Sequence, residues 1–518
     1  MNAAAISATV ISLIAIVFAY GLFSWVGRSG KGGEGSEPAG FTGKDVTAFL
    51  KGEARVMVPV VLVLFIILGF LIDWITAALF VIGTLFATLA GFFGMKAVVR
   101  GSMRTADCLG KTDMDKLLKI AARSGAVMGL CAAGLGLLGL GGAFVVLGIQ
   151  SAKVVAGFGF GISAAAVFGR GYGIIYGSAS HETARYGSDL FESYAGSVIA
   201  AIIVASTAKS IDPVFGYPFD LPAVSGATFP LLLSGAGLLG SMAGIMFIKG
   251  NRKGDPAFAI NAGKYLGAAV VVIYSLISSW VFFGNFNCAV CIVIGMIIGT
   301  VFSRASGTLS ILWTVIALAA GILAADAFGG FYGITLAAAG MLSTAGMISA
   351  ITAYGPISGK GVEIAGKRFA IGAAALTAAA LLIAYGSAAG LKTVNLMSPA
   401  VIAALFAGAM LPVLLAAVAV NSTGKTAWKK VAAPGLPGVL LPLAMGFFMG
   451  QGALIGLLVG SLVSGTLTAV VLTSMGAGRN SADQSNPGMP FGDAAVSSAI
   501  AFMKLAAITA VVSAPLFL

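Results

Sequence analysis

The sequence predicts an all-α, polytopic membrane protein with about 16 transmembrane helices. Only 9% of its 518 residues are charged and 59% are hydrophobic, and the mean hydropathy is +1.03. A soluble protein of this size would carry about 25% charged residues. Apolar runs of about 20 residues, each long enough to cross a bilayer, recur along the whole chain. The 73 glycines favour close helix contacts, and therefore a dense bundle.

The apolar runs define the predicted spans. In chain order they are 3–26, 56–73, 75–97, 122–149, 153–177, 187–208, 227–248, 262–283, 286–303, 308–327, 331–354, 369–389, 397–420, 432–450, 452–475 and 493–516. The connections are short, so residues 1–518 are expected to form a single transmembrane domain. The first span, Ala3 to Val26, lacks the basic start and the cleavage site of a signal peptide and is expected to be retained.

The distribution of basic residues predicts the orientation. All of the 30 lysines and arginines except Lys153, Lys209, Lys392 and Lys504 fall in or beside the odd-numbered connections. Such a bias places these connections in the cytoplasm, and hence both termini outside. The net charge of +12 is therefore attributed to membrane topology and not to nucleic-acid binding.

Two carboxylates near the start of the sixth span are the first candidates for function. Asp189, Glu192 and Ser193 are spaced i, i+3 and i+4, so they share one face of a helix. Charged groups at membrane depth are costly; they face a protein interior, meet a counter-charge and commonly serve ion movement. The alternative is a static buried ion pair that only fixes helix register.

Two cations could neutralise these carboxylates. Arg170 lies in the second half of span 5, and Lys504 is the one basic residue in the middle of a predicted span. Asp493 precedes Lys504 by about three helical turns, which places it on the same face about 16 Å away. A carboxylate that exchanges an ion when its cationic partner moves away would form a gate.

Other reactive side chains carry weaker signals. Cys288 and Cys291 form a lone C-x-x-C motif in span 9. Without a second pair in the sequence they read as buried small residues or a disulfide, although a dimer could combine two pairs in a metal or cluster site. His181, the only histidine, could relay protons but is expected to be a solvated loop residue.

Several stretches resemble the membrane-integral pyrophosphatases, ion pumps driven by pyrophosphate hydrolysis. They occur in the order found in that family: Arg123-Ser-Gly-Ala-Val-Met-Gly-Leu130, Phe168-Gly-Arg170, Gly187-Ser-Asp-Leu-Phe-Glu-Ser-Tyr194, Gly340-Met-Leu-Ser-Thr-Ala-Gly346, Ala353-Tyr-Gly-Pro-Ile357, Phe369-Ala-Ile-Gly372 through Ala375-Leu-Thr377, and Gly408-Ala-Met-Leu-Pro412. The resemblance implies sixteen helices in two concentric rings, and a homodimer. By the same resemblance, Arg170, Asp189, Glu192, Ser193 and Lys504 match the charged and polar residues of the family's ion gate.

The family's hydrolytic centre, in contrast, is not matched. It uses many carboxylates to hold Mg²⁺ around pyrophosphate, and the family's repeated aspartates would fall here on Glu182, Ser178 and Ile174. The metal-binding segment before span 16 reads Gln484-Ser-Asn-Pro-Gly-Met-Pro-Phe-Gly-Asp493. Only Glu182 and Asp493 remain as a residual funnel, so hydrolysis by this chain alone is not expected.

The sequence therefore predicts a multi-pass plasma-membrane protein that moves H⁺ or Na⁺ through a retained gate after losing pyrophosphate hydrolysis. Mg²⁺ would be needed only if hydrolysis were retained, and Na⁺ is a possible transported ion. No catalytic or metal-binding residue is assigned. One alternative is a structural subunit of a larger complex, with partner subunits docked on the basic cytoplasmic face. The other is a minimal pyrophosphatase that is still active.

Overall fold

The computed structural model describes residues 2–28, 43–109, 114–176, 179–215, 221–248, 256–305, 310–358, 363–391, 393–421, 427–479 and 489–517. Every regular element in these ranges is helical. The helices are α1 Asn2–Arg28, α2 Gly43–Leu71, α3 Trp74–Leu109, α4 Met114–Leu147, α5 Ser151–Tyr176, α6 Ala179–Phe215, α7 Ala223–Phe247, α8 Pro256–Phe283, α9 Asn287–Arg304, α10 Ser310–Leu342, α11 Ala345–Ser358, α12 Glu363–Ala388, α13 Pro399–Asn421, α14 Ala427–Met449, α15 Gln451–Arg479 and α16 Met489–Ser513. The all-helical fold class predicted from composition is confirmed.

Thirteen stretches within the described helices are long and apolar enough to cross a membrane. One of them, Lys116–Gly169, contains two predicted spans, because only the short 3₁₀ turn Gly148–Gln150 separates α4 from α5. The predicted fourteenth span is represented by the shorter apolar stretch Pro434–Met449. A polytopic membrane protein is therefore confirmed, and the number of sixteen crossings stays a prediction.

The predicted tenth and eleventh spans are divided differently in the structure. Helix α10 covers the tenth span and the first half of the eleventh and ends at Leu342. Its break at Gly330, where φ is 57°, lies where the two predicted spans meet. A turn at Ser343 and Thr344 then separates α10 from α11. The predicted span over 331–354 is thus formed by two helical segments, the end of α10 and the start of α11. Hydropathy alone does not sense such a turn, because its residues are as buried and as small as those of the flanking helices.

Burial divides the helices into an inner and an outer group. The membrane segments of α6, α12 and α16 are almost entirely buried, whereas most residues of α1, α2, α8 and the first part of α10 are exposed or only partly buried. Helix α6 packs against α5, α12 and α10, and α16 packs against α5, α12 and α15. The inner helices α5, α6, α12 and α16 thus bring the charged residues of α6 and α16 into the centre of the bundle.

Close glycine contacts hold several of these helices together. At Gly295 on α9, an added methyl group would overlap the backbone carbonyl of Ala337 on α10. Backbone atoms cannot move aside as a flexible side chain can, so this interface requires glycine. At Gly142 on α4, by contrast, no atom lies within 4 Å of an added methyl group.

We therefore expect Gly295→Ala to lower the thermal unfolding midpoint of the purified protein clearly, because α9 and α10 must separate. Gly142→Ala should leave the midpoint unchanged or raise it slightly, since alanine is the better helix former. Light scattering or intrinsic fluorescence on heating in detergent would measure both midpoints. Equal midpoints for the two variants would contradict the proposed α9–α10 contact.

Candidate functional site

A buried cluster of charged and polar side chains joins α6 to α16. Lys504 on α16 is 1% exposed, and Asp189, Glu192 and Ser193 on α6 are also buried. The i, i+3, i+4 spacing of the three α6 residues places all of them on the helix face that meets Lys504. We call the four residues the α6–α16 charge cluster.

The Lys504 ammonium group is fully engaged in this cluster. Its Nζ lies 2.7 Å from Oε2 of Glu192. It also donates to the backbone carbonyl of Asp189 at 3.1 Å and to the Ser193 hydroxyl at 3.3 Å. An ammonium group has three N–H donors, so these three acceptors match its full capacity.

The Asp189 carboxylate attracts the Lys504 ammonium group through charge and not through a direct hydrogen bond to it. Its Oδ1 lies 3.9 Å from Lys504 Nζ, beyond hydrogen-bond distance but close enough for strong attraction in a buried site. Glu192 is thus the primary partner of the lysine and Asp189 a second carboxylate within reach. A small movement of the ammonium group would exchange one carboxylate for the other.

Helix α12 contacts α6 next to the cluster. The Thr377 hydroxyl donates to the Ser193 carbonyl at 3.2 Å. Near this contact, a methyl group on Gly196 would lie only 2.9 Å from Thr377 Cγ2, so α6 and α12 approach closely. Thr377 is a positioning residue that sequence reasoning did not identify. Its signal was a lone threonine within an alanine-rich stretch of α12.

An apolar layer follows the cluster along both helices. Ile508 lies one turn after Lys504, and Ile199 lies about two turns after Glu192. Both side chains are buried, and both reach Gly159 on α5, where an added Cβ would lie 2.7 Å from Ile199 and 3.1 Å from Ile508. The three helices therefore close tightly on one side of the charge cluster.

Three predicted site residues cannot be compared in the same way. The backbone of Arg170 lies in α5, that of Glu182 in α6 and that of Asp493 in α16, but their side chains lie outside the described part of the structure. His181 falls in helix α6 and not in the predicted loop, because α6 begins at Ala179. Its side chain is likewise outside the described part.

The C-x-x-C motif forms no disulfide in the structure. Cys288 and Cys291 are free and buried in the first turns of α9. The Cys291 thiol donates to the Ala325 carbonyl of α10 at 3.5 Å. Of the two intrachain interpretations, the disulfide is therefore wrong, and packing as small buried residues matches the structure.

Comparison with known proteins gives a consistent assignment. The sequence matches the family of the inorganic H⁺ pyrophosphatase over residues 13–184, 177–307, 304–366 and 359–433. It is 30% identical to a putative K⁺-stimulated pyrophosphate-energized sodium pump of Clostridium tetani, with 86% of this chain and 84% of the relative aligned. It is 27% identical to a K⁺-insensitive pyrophosphate-energized proton pump of Methanosarcina mazei, with 83% of each protein aligned.

These relatives also carry segments that this chain lacks. The alignment with the Clostridium tetani protein spans 583 positions, more than the 518 residues of the whole chain. A K⁺-stimulated pyrophosphate-energized sodium pump of Thermotoga maritima aligns with 90% of this chain at 24% identity. The family match and the many apolar helices make this a multi-pass plasma-membrane protein. The chain belongs to the inorganic H⁺ pyrophosphatase family.

Proposed function

We propose that this chain moves H⁺ or Na⁺ across the membrane through the α6–α16 charge cluster and does not hydrolyse pyrophosphate. The observation that carries the proposal is the buried contact between Lys504 and Glu192 at 2.7 Å, with Asp189 3.9 Å from the same ammonium group. The names of the aligned relatives, which describe sodium and proton pumps, support transport of one of these ions.

The chemistry of the proposed gate is a competition for one carboxylate. In the resting arrangement the Lys504 ammonium group pairs with the Glu192 carboxylate, so no mobile cation is needed to neutralise that carboxylate. When the ammonium group shifts toward Asp189, Glu192 becomes a buried anion that attracts H⁺ or Na⁺. Return of Lys504 expels that ion. We propose that Arg170 contributes the second positive charge and Ser193 holds the lysine in its resting position.

Transport can be tested directly in liposomes. The purified chain is reconstituted, a Na⁺ or pH gradient is imposed, and flux is followed with a sodium- or pH-sensitive dye. Flux that depends on Glu192 and Lys504 supports the proposal. If flux in Glu192→Gln and Lys504→Ala equals that of the unaltered chain, the cluster is a static ion pair and the proposal fails.

The proposed loss of hydrolysis rests on the sequence. Only Glu182 remains of the expected series of aspartates, and the stretch Gln484–Asp493 retains Asp493 as its single carboxylate. Pyrophosphate with several Mg²⁺ ions needs many oxygen ligands of matching charge. A centre with so few carboxylates would not hold this substrate in a reactive geometry.

We therefore expect no phosphate release from pyrophosphate and Mg²⁺ above the background of an Asp493→Ala variant. The Methanosarcina mazei relative, assayed in the same detergent, serves as the positive control. A rate that exceeds the Asp493→Ala background would instead identify a minimal pyrophosphatase. This assay is independent of the flux assay, so the two parts of the proposal can fail separately.

Energy for transport would come from the ion gradient or from a partner subunit. The basic connections of the chain offer a surface for an acidic soluble partner. Gentle purification from native membranes would reveal one: a co-purifying subunit together with no intrinsic flux would indicate a structural subunit of a larger complex. A homodimer that carries flux alone would support the transport proposal.

A further inference from the structure

Cations stacked on aromatic rings surround the end of α1. On α3, the Lys96 ammonium group lies 4.1 Å from the ring centre of Phe92. One turn later, the Arg100 guanidinium lies 4.2 Å from the ring of Phe23 on α1. Aromatic residues with basic neighbours are typical of the boundary between lipid and water. This end of α1 and α3 therefore lies at a membrane surface.

Two further arginines join the same region. Arg104 Nη2 donates to the Gly27 carbonyl in the last turn of α1 at 2.9 Å. On α4, the Arg123 guanidinium lies 4.1 Å from the ring of Trp25. The end of a helix attracts cations, but its dipole corresponds to only about half an elementary charge. This dipole is too weak to neutralise Lys96 and Arg100.

Lys96 and Arg100 have room for a ligand. Arg100 is exposed and Lys96 half-buried. Within the described chain, the positively charged groups of Lys96 and Arg100 lie against these aromatic rings and not against carboxylates. A cation–π contact stabilises a cation without cancelling its charge. Lys96 and Arg100 therefore keep a positive potential directed away from the protein.

The same face of α3 becomes apolar away from these cations. Ile82, Leu85 and Leu89 are exposed, and their spacing of three or four residues continues through Phe92 to Lys96 and Arg100. All six positions thus follow one side of the helix. The face is apolar over two turns and cationic at its end.

We propose that this face binds an anionic phospholipid, with its phosphate on Lys96 and Arg100 and an acyl chain along Leu85 and Leu89. The protein surface is complementary to the lipid: its cations lie at the membrane surface, where the phosphate lies, and its apolar side chains lie deeper, where the acyl chain lies. Arginine and lysine are the side chains that hold phosphate groups. Free phosphate would leave the apolar part of the face uncovered, so the lipid is the occupant that fits the whole surface.

Native mass spectrometry tests this proposal on the full-length protein, with phosphatidylglycerol and phosphatidylcholine as the added lipids. The unaltered chain should retain phosphatidylglycerol and not phosphatidylcholine. Lys96→Gln together with Arg100→Gln should weaken retention about twenty-five-fold, since each cation near an anionic lipid contributes a factor of about five. The charge-conserving pair Lys96→Arg and Arg100→Lys should retain the lipid, which separates loss of binding from loss of folding.

Lys264→Gln with Arg304→Gln is the matched control, because it removes the same charge elsewhere. Arg304 already donates to the Tyr265 hydroxyl at 2.5 Å. This control should keep the lipid. If both glutamine double variants lost phosphatidylglycerol equally, general surface charge would explain the binding and the proposal would be overturned. Unchanged lipid retention in both double variants would overturn it as well. Retention that added inorganic phosphate abolishes would also overturn it, because the apolar contact would then contribute nothing.

Discussion

Glu192→Gln is expected to reduce gradient-driven ion flux in proteoliposomes at least tenfold. The amide fills the space of the carboxylate and can still accept a hydrogen bond from Lys504, so the fold should be retained. A neutral amide holds neither a proton nor Na⁺ as a carboxylate does, and exchange at the gate should therefore stop.

Asp73→Asn provides the matched control for this measurement. Asp73 precedes α3, where its Oδ1 accepts hydrogen bonds from the backbone N–H groups of Ile75 and Thr76 at 2.8 and 2.9 Å. Asparagine caps helices about as well as aspartate, so this variant removes a carboxylate far from the gate at little structural cost. Flux should be preserved. Full flux in Glu192→Gln would mean that the buried pair serves structure alone.

Lys504→Met is expected to have the largest effect on stability. Methionine fills much of the same space, but the change removes the ammonium group that contacts Glu192 and Ser193. Removing one partner of a buried ion pair costs about 3–5 kcal/mol, because the remaining charge stays in a poorly solvated site. The unfolding midpoint in detergent should fall accordingly, and flux should be lost.

The double variant Glu192→Gln with Lys504→Met distinguishes a specific pair from general damage to the core. When the carboxylate is neutralised as well, most of the lost stability should return, so that the double variant is more stable than Lys504→Met alone. A double-mutant cycle with Glu192→Gln gives the interaction directly. If the two losses simply add, Glu192 and Lys504 are not energetically coupled.

The helical membrane fold could be predicted from composition because hydropathy measures the cost of placing each segment in water or in lipid. The same argument found the unusual positions: Asp189, Glu192 and Lys504 stand out as charges in apolar helices. Their common helix face followed from spacing. That Lys504 of α16 meets α6 followed from the need to neutralise buried charge and from the family resemblance.

Other parts of the site lay beyond sequence reasoning. Hydropathy does not show which inner helix faces α6, so Thr377 and its contact with the Ser193 carbonyl were not predicted. Ile199 and Ile508 are ordinary isoleucines in the sequence and form a layer only through the packing of α5, α6 and α16. The turn at Ser343 was missed for a related reason, since local backbone direction leaves little trace in average hydropathy.

The isoleucine layer beside the charge cluster also has an electrical consequence. A membrane potential falls most steeply across the driest section of a pathway, because water and mobile charge spread the field elsewhere. Ile199 and Ile508 close around Gly159 next to the charge cluster, so on the proposed ion path these few side chains would form that dry section. An ion that passes them would experience most of the voltage in one short step, worth about 2.3 kcal/mol per 100 mV. The proposed transport should accordingly be voltage-sensitive, with the isoleucine pair acting as its insulator.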